Sequence, residues 1–514
     1  MYKLLLCWRY LRTRYIALIC IVSVMLGVAT MIVVNSVMAG FTAEMQARMN
    51  GMLGDLVLES RSLDGANDAD AQMAKIREAV GDDIAGMSPT LVVPSLMYID
   101  VNGQTITKQV TIIGIDQATH ADVSQFSEFL QHPSNREQLT FDLRAGGYDV
   151  YDPQAPTDSE AKAREQMKTA GWQIRRYKAR IKKQREQNEA AQRRQLQAAA
   201  GKTAKANPFE QAAADAGEAE QGRDFDPAIE THAGIVLGIG ITRYRSLDGD
   251  DQFFAVPGDD VRVSFPTASK PPKIASEFYT VVDFYECKMS EYDSEFVFVP
   301  LRALQESRGM IDPTTGIGRF TTIQIKIRDG ADVNLIANQI RDLFPAQLFH
   351  VATWQEKQGA ILAAVQMETM VLNILLFMII AVAGFGIFAI FLMIVVEKTR
   401  DIGILKSLGA SSQGVMGIFL GYGISLGIVG AGVGLVLGIA FVININEIGD
   451  LISYLTGQPV FDPSVYYFHK IPTVISPFTV SWICVGAVLI AVLSSIFPAW
   501  RAARLHPVRA LRYE

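Results

Sequence analysis

The sequence predicts an α-helical membrane protein with four transmembrane helices and a large external α+β domain, in two lobes, that carries a helical insertion. Three observations lead there. The 514 residues are 49% hydrophobic with a mean hydropathy of +0.19, yet the apolar residues gather near the two ends. From about residue 45 to about 365 the charge density is that of a soluble protein. Four apolar runs reach the roughly 20 residues that cross a hydrocarbon core, and Lys and Arg cluster in alternate loops between them.

The runs extend from about Tyr15 to Met38, Met370 to Val396, Gln413 to Asn444 and Phe478 to Ala499. The first is too long for the apolar region of a signal peptide and ends in no small-x-small cleavage site, so it reads as a retained anchor. The third is overlong and glycine-rich, with Gly423, Gly427, Gly430, Gly434 and Gly438 at spacings of three or four. Small residues in that rhythm let another helix approach closely. Asn35 and Asn373 are the polar residues of note within the spans, and both are expected to hydrogen-bond between helices.

Basic residues near the span ends set the orientation. Lys3, Arg9, Arg12 and Arg14 precede the first span; Lys398, Arg400 and Lys406 lie between the second and third; Arg501, Arg504, Arg509 and Arg512 follow the fourth. All three groups belong in the cytoplasm. Both termini are then inside, and the large domain and the loop at 445–477 lie on the opposite side.

The external domain alternates strand patterns with a few helices. SPTLVVPSLMYIDVNGQTITKQVTIIGID carries β-branched runs on either side of Asn102-Gly103, a hairpin signal. Helices are expected near Ala71 to Val80 and over Val333 to Leu343. Between the two strand-rich parts lies an Ala-, Gln-, Lys- and Arg-rich stretch that is helix-forming by composition, with twelve basic residues between Lys162 and Arg194. It reads as a solvated helical excursion or a binding arm, and the following AKANPFEQAAADAGEAEQGRD as a disordered linker. The chain thus divides into 1–44, a cytoplasmic segment and the first span; 45–147, the first part of the external domain; 148–230, the insertion; 231–352, the second part; and 353–514, three spans with a short helix at 397–412.

Several chemistries are excluded. Cys287 is alone in the external domain, so no external intramolecular disulfide forms. The one Gly-Lys-Thr, at 201–203, has Leu196 where a phosphate-cradling loop needs Gly. The six histidines have no zinc-ligand spacing, and no Gly-x-Ser-x-Gly is present. No catalytic residue, metal site or cofactor is expected in this chain, and a net charge of −6 gives no reason to invoke nucleic acid.

The remaining feature is EKTRDIGILKSLGASS, Glu397 to Ser412, wedged between two spans. Ile402, Ile404, Leu405 and Leu408 alternate with charges as in a short surface helix, and Gly409 is a natural stop. Such a helix is either a mere connecting turn or a handle that tilts both spans when pushed. VVEKTRDIGILKSLGASSQGVMGIFLGYG resembles the coupling-helix region of FtsX-like permeases of ABC transporters, and FPAWRAARLHPVRALRYE resembles the closing signature of that family. Further stretches, among them RYLRTRYIALICIVSVMLGVATMIVVNSVMAGF, VTIIGID and FYECKMSEYDSEFVFVPL, are similar to the lipoprotein-releasing (LolC/LolE-type) permeases within it.

The resemblance implies a bacterial inner-membrane protein with a periplasmic domain. Its partners would be a second permease, identical or related, a dimer of cytoplasmic ATPase subunits that bind ATP and Mg, membrane lipids, a lipoprotein substrate, and a periplasmic chaperone as a further candidate. Carried over by position, Glu397, Arg400, Asp401, Ile402, Gly403, Leu405, Lys406, Leu408 and Gly409 would dock in the ATPase groove. A lipid-facing substrate cavity would lie between the first two spans near Val34, Met38, Met370 and Ile374. The insertion is foreign to the pattern. An efflux- or division-type permease driving an external pump or hydrolase is the alternative within the family, and a membrane-anchored sensor or scaffold the alternative outside it.

Overall fold

The computed structural model describes residues 15–62, 64–101, 103–154, 163–200, 225–246, 251–456 and 470–506. The first charge cluster, Asn102, Gly201 to Thr203, the whole linker at 204–224, Arg509 and Arg512 lie outside these. The principal helices are α1 (Tyr15–Leu53), α2 (Ala69–Val80), α3 (Trp172–Ala200), α4 (Leu301–Arg308), α5 (Val333–Leu343), α6 (Gly359–Glu397), α7 (Thr399–Ser407), α8 (Ser412–Ile443), α9 (Ile445–Thr456) and α10 (Pro477–Ala503). The chain forms two compact units, Met1–Ala47 with Gln358–Glu514, and Arg48–Lys357.

In the first unit, α1, α6, α8 and α10 are long and apolar enough to cross a membrane. With 39 residues each, α1 and α6 are about 58 Å long at 1.5 Å per residue, roughly twice a hydrocarbon core. The surplus is the more polar C-terminal end of α1 and N-terminal end of α6, which the apolar runs alone did not reveal. The glycine rhythm of α8 serves two neighbours. A Cβ on Gly430 or Gly434 would meet Val24 or Met25 and Val28 of α1, whereas on Gly423 or Gly427 it would meet Ser495 or Ala491 of α10. Gly384 of α6 lies against Ile490 and Ser494 of α10, and Gly27 of α1 against Ile380 of α6. Small residues thus set close approach at all four helix contacts around the bundle. Asn35 does not bridge helices: its Nδ2 donates to the Met31 carbonyl of its own helix at 3.0 Å.

The second unit is built on one nine-stranded sheet. Its strands are β1 (Leu56–Ser60), β2 (Ile84–Val101), β3 (Gln104–Ile115), β4 (Ala233–Gly238), β5 (Asp260–Pro266), β6 (Ile274–Tyr285), β7 (Phe296–Pro300), β8 (Thr322–Ile327) and β9 (Phe349–Thr353), in the order β9-β1-β8-β2-β3-β7-β4-β6-β5. β5 pairs again with β2, Leu96 opposite Ser264 and Tyr98 opposite Arg262, so six strands close into a barrel. β8, β1 and β9 extend from the first half of β2, where Thr90 pairs with Thr322. Met97, Val110, Ile235, Val263, Val281 and Val297 fill the barrel. A second core sets Leu56, Leu58, Ile323 and Ile325 against Ile76 of α2 and Ile336 and Ile340 of α5. The domain thus has two cores on one sheet, shared because β2, at 18 residues, is long enough to enter both. β2 and β3 pair from Thr90–Ile115 to Val101–Gln104, with Gly103 at φ 84° in the turn.

The segment expected as a solvated excursion from residue 148 is in its first part core. Tyr148, Met167 and Ala170 are buried in the barrel cluster, and the Tyr148 hydroxyl donates to the Val282 carbonyl at 2.6 Å. Arg164 is buried with Glu286 at 2.6 Å, and Lys288 reaches the same carboxylate at 2.6 Å. Burial alone would raise the Glu286 carboxyl, but these two cations hold it below the usual carboxylate range. Arg175 roots α3 by pairing with Asp260 at 2.7 Å and donating to the Gly258 and Glu230 carbonyls. From Lys182 to Gln192 the helix is exposed.

Beside this network Asp283 is fully enclosed. Burial pushes its carboxyl up to about 7, against the hydrogen bonds from Asn135 Nδ2 and the Phe284 and His132 amides that lower it. Asp293, buried against Cys287, is pushed up to about 6. A carboxyl whose folded value exceeds the unfolded value of about 3.9 gives stability that is complete below that value and lost as pH rises through the folded one. The share of stability from these two carboxyls is therefore lost between about pH 4 and pH 7, while His120, which burial pushes down to about 4, gains stability over the same rise. The test is the difference between variants: the thermal midpoint of Asp283→Asn in detergent, relative to the parent, should improve as pH rises through this window, and a difference that does not change with pH would contradict the assignment.

Candidate functional site

Sequence placed the handle at 397–412, and α7 occupies Thr399–Ser407 within it. The join to α6 is tight: the Lys398 amide donates to the Ile394 carbonyl at 2.9 Å, and Thr399 Oγ1 to the Val395 carbonyl at 2.9 Å. The Gly-Ala-Ser-Ser ending has a local cause. Gly409 takes φ 96°, which glycine adopts without strain, and the Gly409 and Ala410 amides donate back to the Lys406 and Leu405 carbonyls at 3.1 and 3.0 Å. Ser411 then caps α8, its side chain accepting from the Gly414 amide at 3.1 Å.

α7 has two unlike faces. Ile402, 3% exposed, and Gly403 turn into the bundle. Lys406 is half-buried, and its Nζ donates to the Ala503 and Leu505 carbonyls at 2.7 and 2.8 Å. Glu397, Arg400, Asp401, Leu405, Leu408 and Gly409 are exposed, with Lys398 paired to Asp401 at 2.8 Å. Of the nine positions expected to meet a partner, Ile402, Gly403 and Lys406 thus face inward, because a nine-residue helix lying on a bundle must bury one side. Ile404, outside that expectation, is 43% exposed one turn before Leu408, which is 80% exposed. Its i, i+4 spacing to Leu408 was the available signal. Ile404, Leu405 and Leu408 form an uncovered apolar strip rimmed by charge, the composition of a docking surface.

A second feature lies between α1, α6 and the start of α10. A cavity of about 470 Å³ is lined by Asn35, Ser36, Met38, Thr42, Gln366, Thr369 and Thr479 among others. An adjoining groove of about 480 Å³ shares Gln366 and Thr369 and adds Met370, Asn373 and Ile374. Met38 therefore lines the first, Met370 and Ile374 the second, and Val34 neither. Its wall is completed by non-helical backbone, since the Val474 amide donates to the Ser36 carbonyl at 3.0 Å, and the Asn446 side chain pairs with Ile471. Asn35 and Asn373, the polar residues singled out in the sequence, line the cavity and the groove respectively, whereas Thr42, Gln366 and Thr369 were not foreseen because at a span end they read as incidental. The arrangement offers apolar walls with amide and hydroxyl groups at intervals, suited to a molecule with both an acyl and a polar part. Among the described residues no group of His, Cys, Asp and Glu could hold a metal ion.

Residues 373–507, which include α7 and its contacts with α10, match the FtsX-like permease C-terminal family. This part of the chain is an FtsX-like permease domain. The chain is similar to the lipoprotein-releasing system transmembrane protein LolC of Xylella fastidiosa, 30% identical over 236 residues, 46% of this chain and 55% of that protein. It is similar to LolE of Haemophilus influenzae, 29% identical over 287 residues, 55% of this chain and 65% of that one. The macrolide export ATP-binding/permease protein MacB of Bdellovibrio bacteriovorus is 28% identical over 226 residues, 41% and 32% respectively. The chain spans little more than half the length of the LolC protein it matches. Both the α7 strip and the start of the cavity's second helix face belong to the matched permease domain or adjoin it.

Proposed function

We propose that this chain is the permease subunit of an ABC transporter that extracts lipoproteins from the bacterial inner membrane. In this reading α7 lies on the cytoplasmic side, as its flanking Lys398, Arg400 and Lys406 favour. Its strip docks in a separate subunit that binds ATP and Mg and performs the hydrolysis. Two such subunits serve a pair of permeases, identical or related. The stroke travels along α6 and α1, which outlast the bilayer, to a periplasmic domain that hands the lipoprotein onward, with a soluble chaperone as a candidate acceptor. The cavity lined by Asn35, Thr42, Gln366 and Thr369 receives the acylated end. The observation that carries this reading is the exposed apolar strip of α7 inside an FtsX-like permease domain.

The energetics require such leverage. Withdrawing acyl chains costs about 0.8 kcal/mol per buried methylene, so a lipid anchor with tens of methylenes stays in the bilayer unless external work removes it. The test is reconstitution of the permease with its ATPase subunit in vesicles bearing a triacylated lipoprotein. Release to a soluble acceptor only with hydrolysable ATP is the expected result; ATP hydrolysis without release would remove the lipoprotein assignment. The similarity to MacB favours a second reading, in which the strokes drive an external efflux partner. A periplasmic adaptor that copurifies and stimulates hydrolysis would select it. A sensor or scaffold would purify with no ATPase subunit at all.

A further inference from the structure

One side chain joins α7 to the end of α10. The Lys406 ammonium donates to the carbonyls of Ala503 and Leu505 at 2.7 and 2.8 Å, across 97 and 99 residues of chain. These acceptors sit in and just after the last turn of α10, where helix carbonyls lack intrahelical donors and the helix dipole leaves partial negative charge. Hydrogen bonds from an ammonium are about twice as strong as neutral ones. One turn earlier on the same face of α7, Ile402 is buried in the same apolar cluster as Ala499 and Ala502 of α10. α7 is therefore tied to α10 by a cationic contact, beside an apolar cluster that both helices enter. Its covalent links to α6 and α8 run through Lys398, across which helical hydrogen bonds continue, and through the turn at Leu408 to Ala410.

The geometry points to Lys406 as a strut that makes α7 and α10 move as one body, delivering displacement of α7 to the fourth apolar helix as well as to its covalent neighbours. The inference rests on the reading of α7 as the helix pushed by an ATP-hydrolysing partner. It makes Lys406 a positioning residue, on the opposite side of α7 from the Leu408 strip. It also gives a physical reason for the two sequence signatures to occur together, since the motif at 397–412 supplies the donor and the closing motif supplies the acceptors.

Lys406→Met keeps the aliphatic stem and removes the donor, and Lys406→Arg restores a cation. In the complex with its ATPase subunit, Lys406→Met should retain the bound subunit and hydrolyse ATP within about twofold of the parent. Lipoprotein release should fall about tenfold and recover largely in Lys406→Arg. In the purified permease, amide hydrogen exchange should quicken at 399–408 and 500–505 in the Met variant and not in the Arg variant. Unchanged release in Lys406→Met would overturn the strut. So would loss of the bound ATPase subunit, which would put Lys406 in the docking surface. If the parent complex releases no lipoprotein, the transport reading fails by itself and exchange decides: faster exchange confined to the two segments sustains the strut, and unchanged exchange removes it. Lys406→Gln, which keeps a neutral donor, supplies the same measurements if the Met variant does not accumulate.

Discussion

Leu408→Asp should abolish retention of the ATP-hydrolysing subunit while leaving the permease folded. Leu408 is 80% exposed at the C-cap of α7, so the permease loses little packing when it changes. On the proposed docking of the α7 strip, a carboxylate there would have to be buried against the partner, and burying an unpaired charge is far costlier than losing one contact. Truncation of a central anchor alone typically costs about 2–4 kcal/mol, and the added charge enlarges that. The measurement is copurification at equal expression, with the thermal midpoint of the permease as the folding control. Ile402→Asp makes the contrast: it is buried in the bundle cluster, so it should lower the midpoint as well. A Leu408→Asp permease that keeps its ATPase subunit would show that α7 is only a connection between two spans.

Gly434→Leu should unseat α8 from α1. A Cβ at this position would lie 2.7 Å from the Met25 carbonyl oxygen and 2.9 Å from Val28 Cβ, and backbone cannot step aside as a side chain does. Overpacking of this kind costs typically about 1–3 kcal/mol, before the rest of the leucine is placed. The expected result is a clear fall in the thermal midpoint in detergent and loss of monodisperse protein. Gly432→Leu, two residues away on the same helix, meets nothing within 4 Å and should leave both unchanged. Equal behaviour of the two variants would mean that glycine content, rather than contact with α1, is what α8 requires.

The ease with which parts of this architecture are read from sequence follows the range of the interactions that make them. The apolar helices and the bounds of α7 depend on residues within a few turns of each other. Likewise the Gly409 turn and the Ser411 cap are settled by hydrogen bonds within five residues. The interior position of Arg164 was illegible because its partner Glu286 lies 122 residues further on. In isolation the polar stretch around it has the composition of a solvated arm. The closure of the barrel was hidden for the same reason, since β2 pairs with β5 across more than 160 residues of chain.

In the functional site the division is sharper. The pattern Ile402, Ile404, Leu405, Leu408 says that α7 is a surface helix with apolar residues, but a nine-residue helix offers too few turns to say which of them are spoken for. The neighbouring bundle decides: it takes Ile402 and the Lys406 ammonium and leaves Ile404, Leu405 and Leu408 uncovered. Sequence alone determined the four apolar helices, the short helix between two of them and the turn that ends it, because backbone hydrogen bonds and hydropathy are local. Only the tertiary structure decided which face of that helix is free and where its lysine is tied, because those are properties of surfaces brought together from distant parts of the chain.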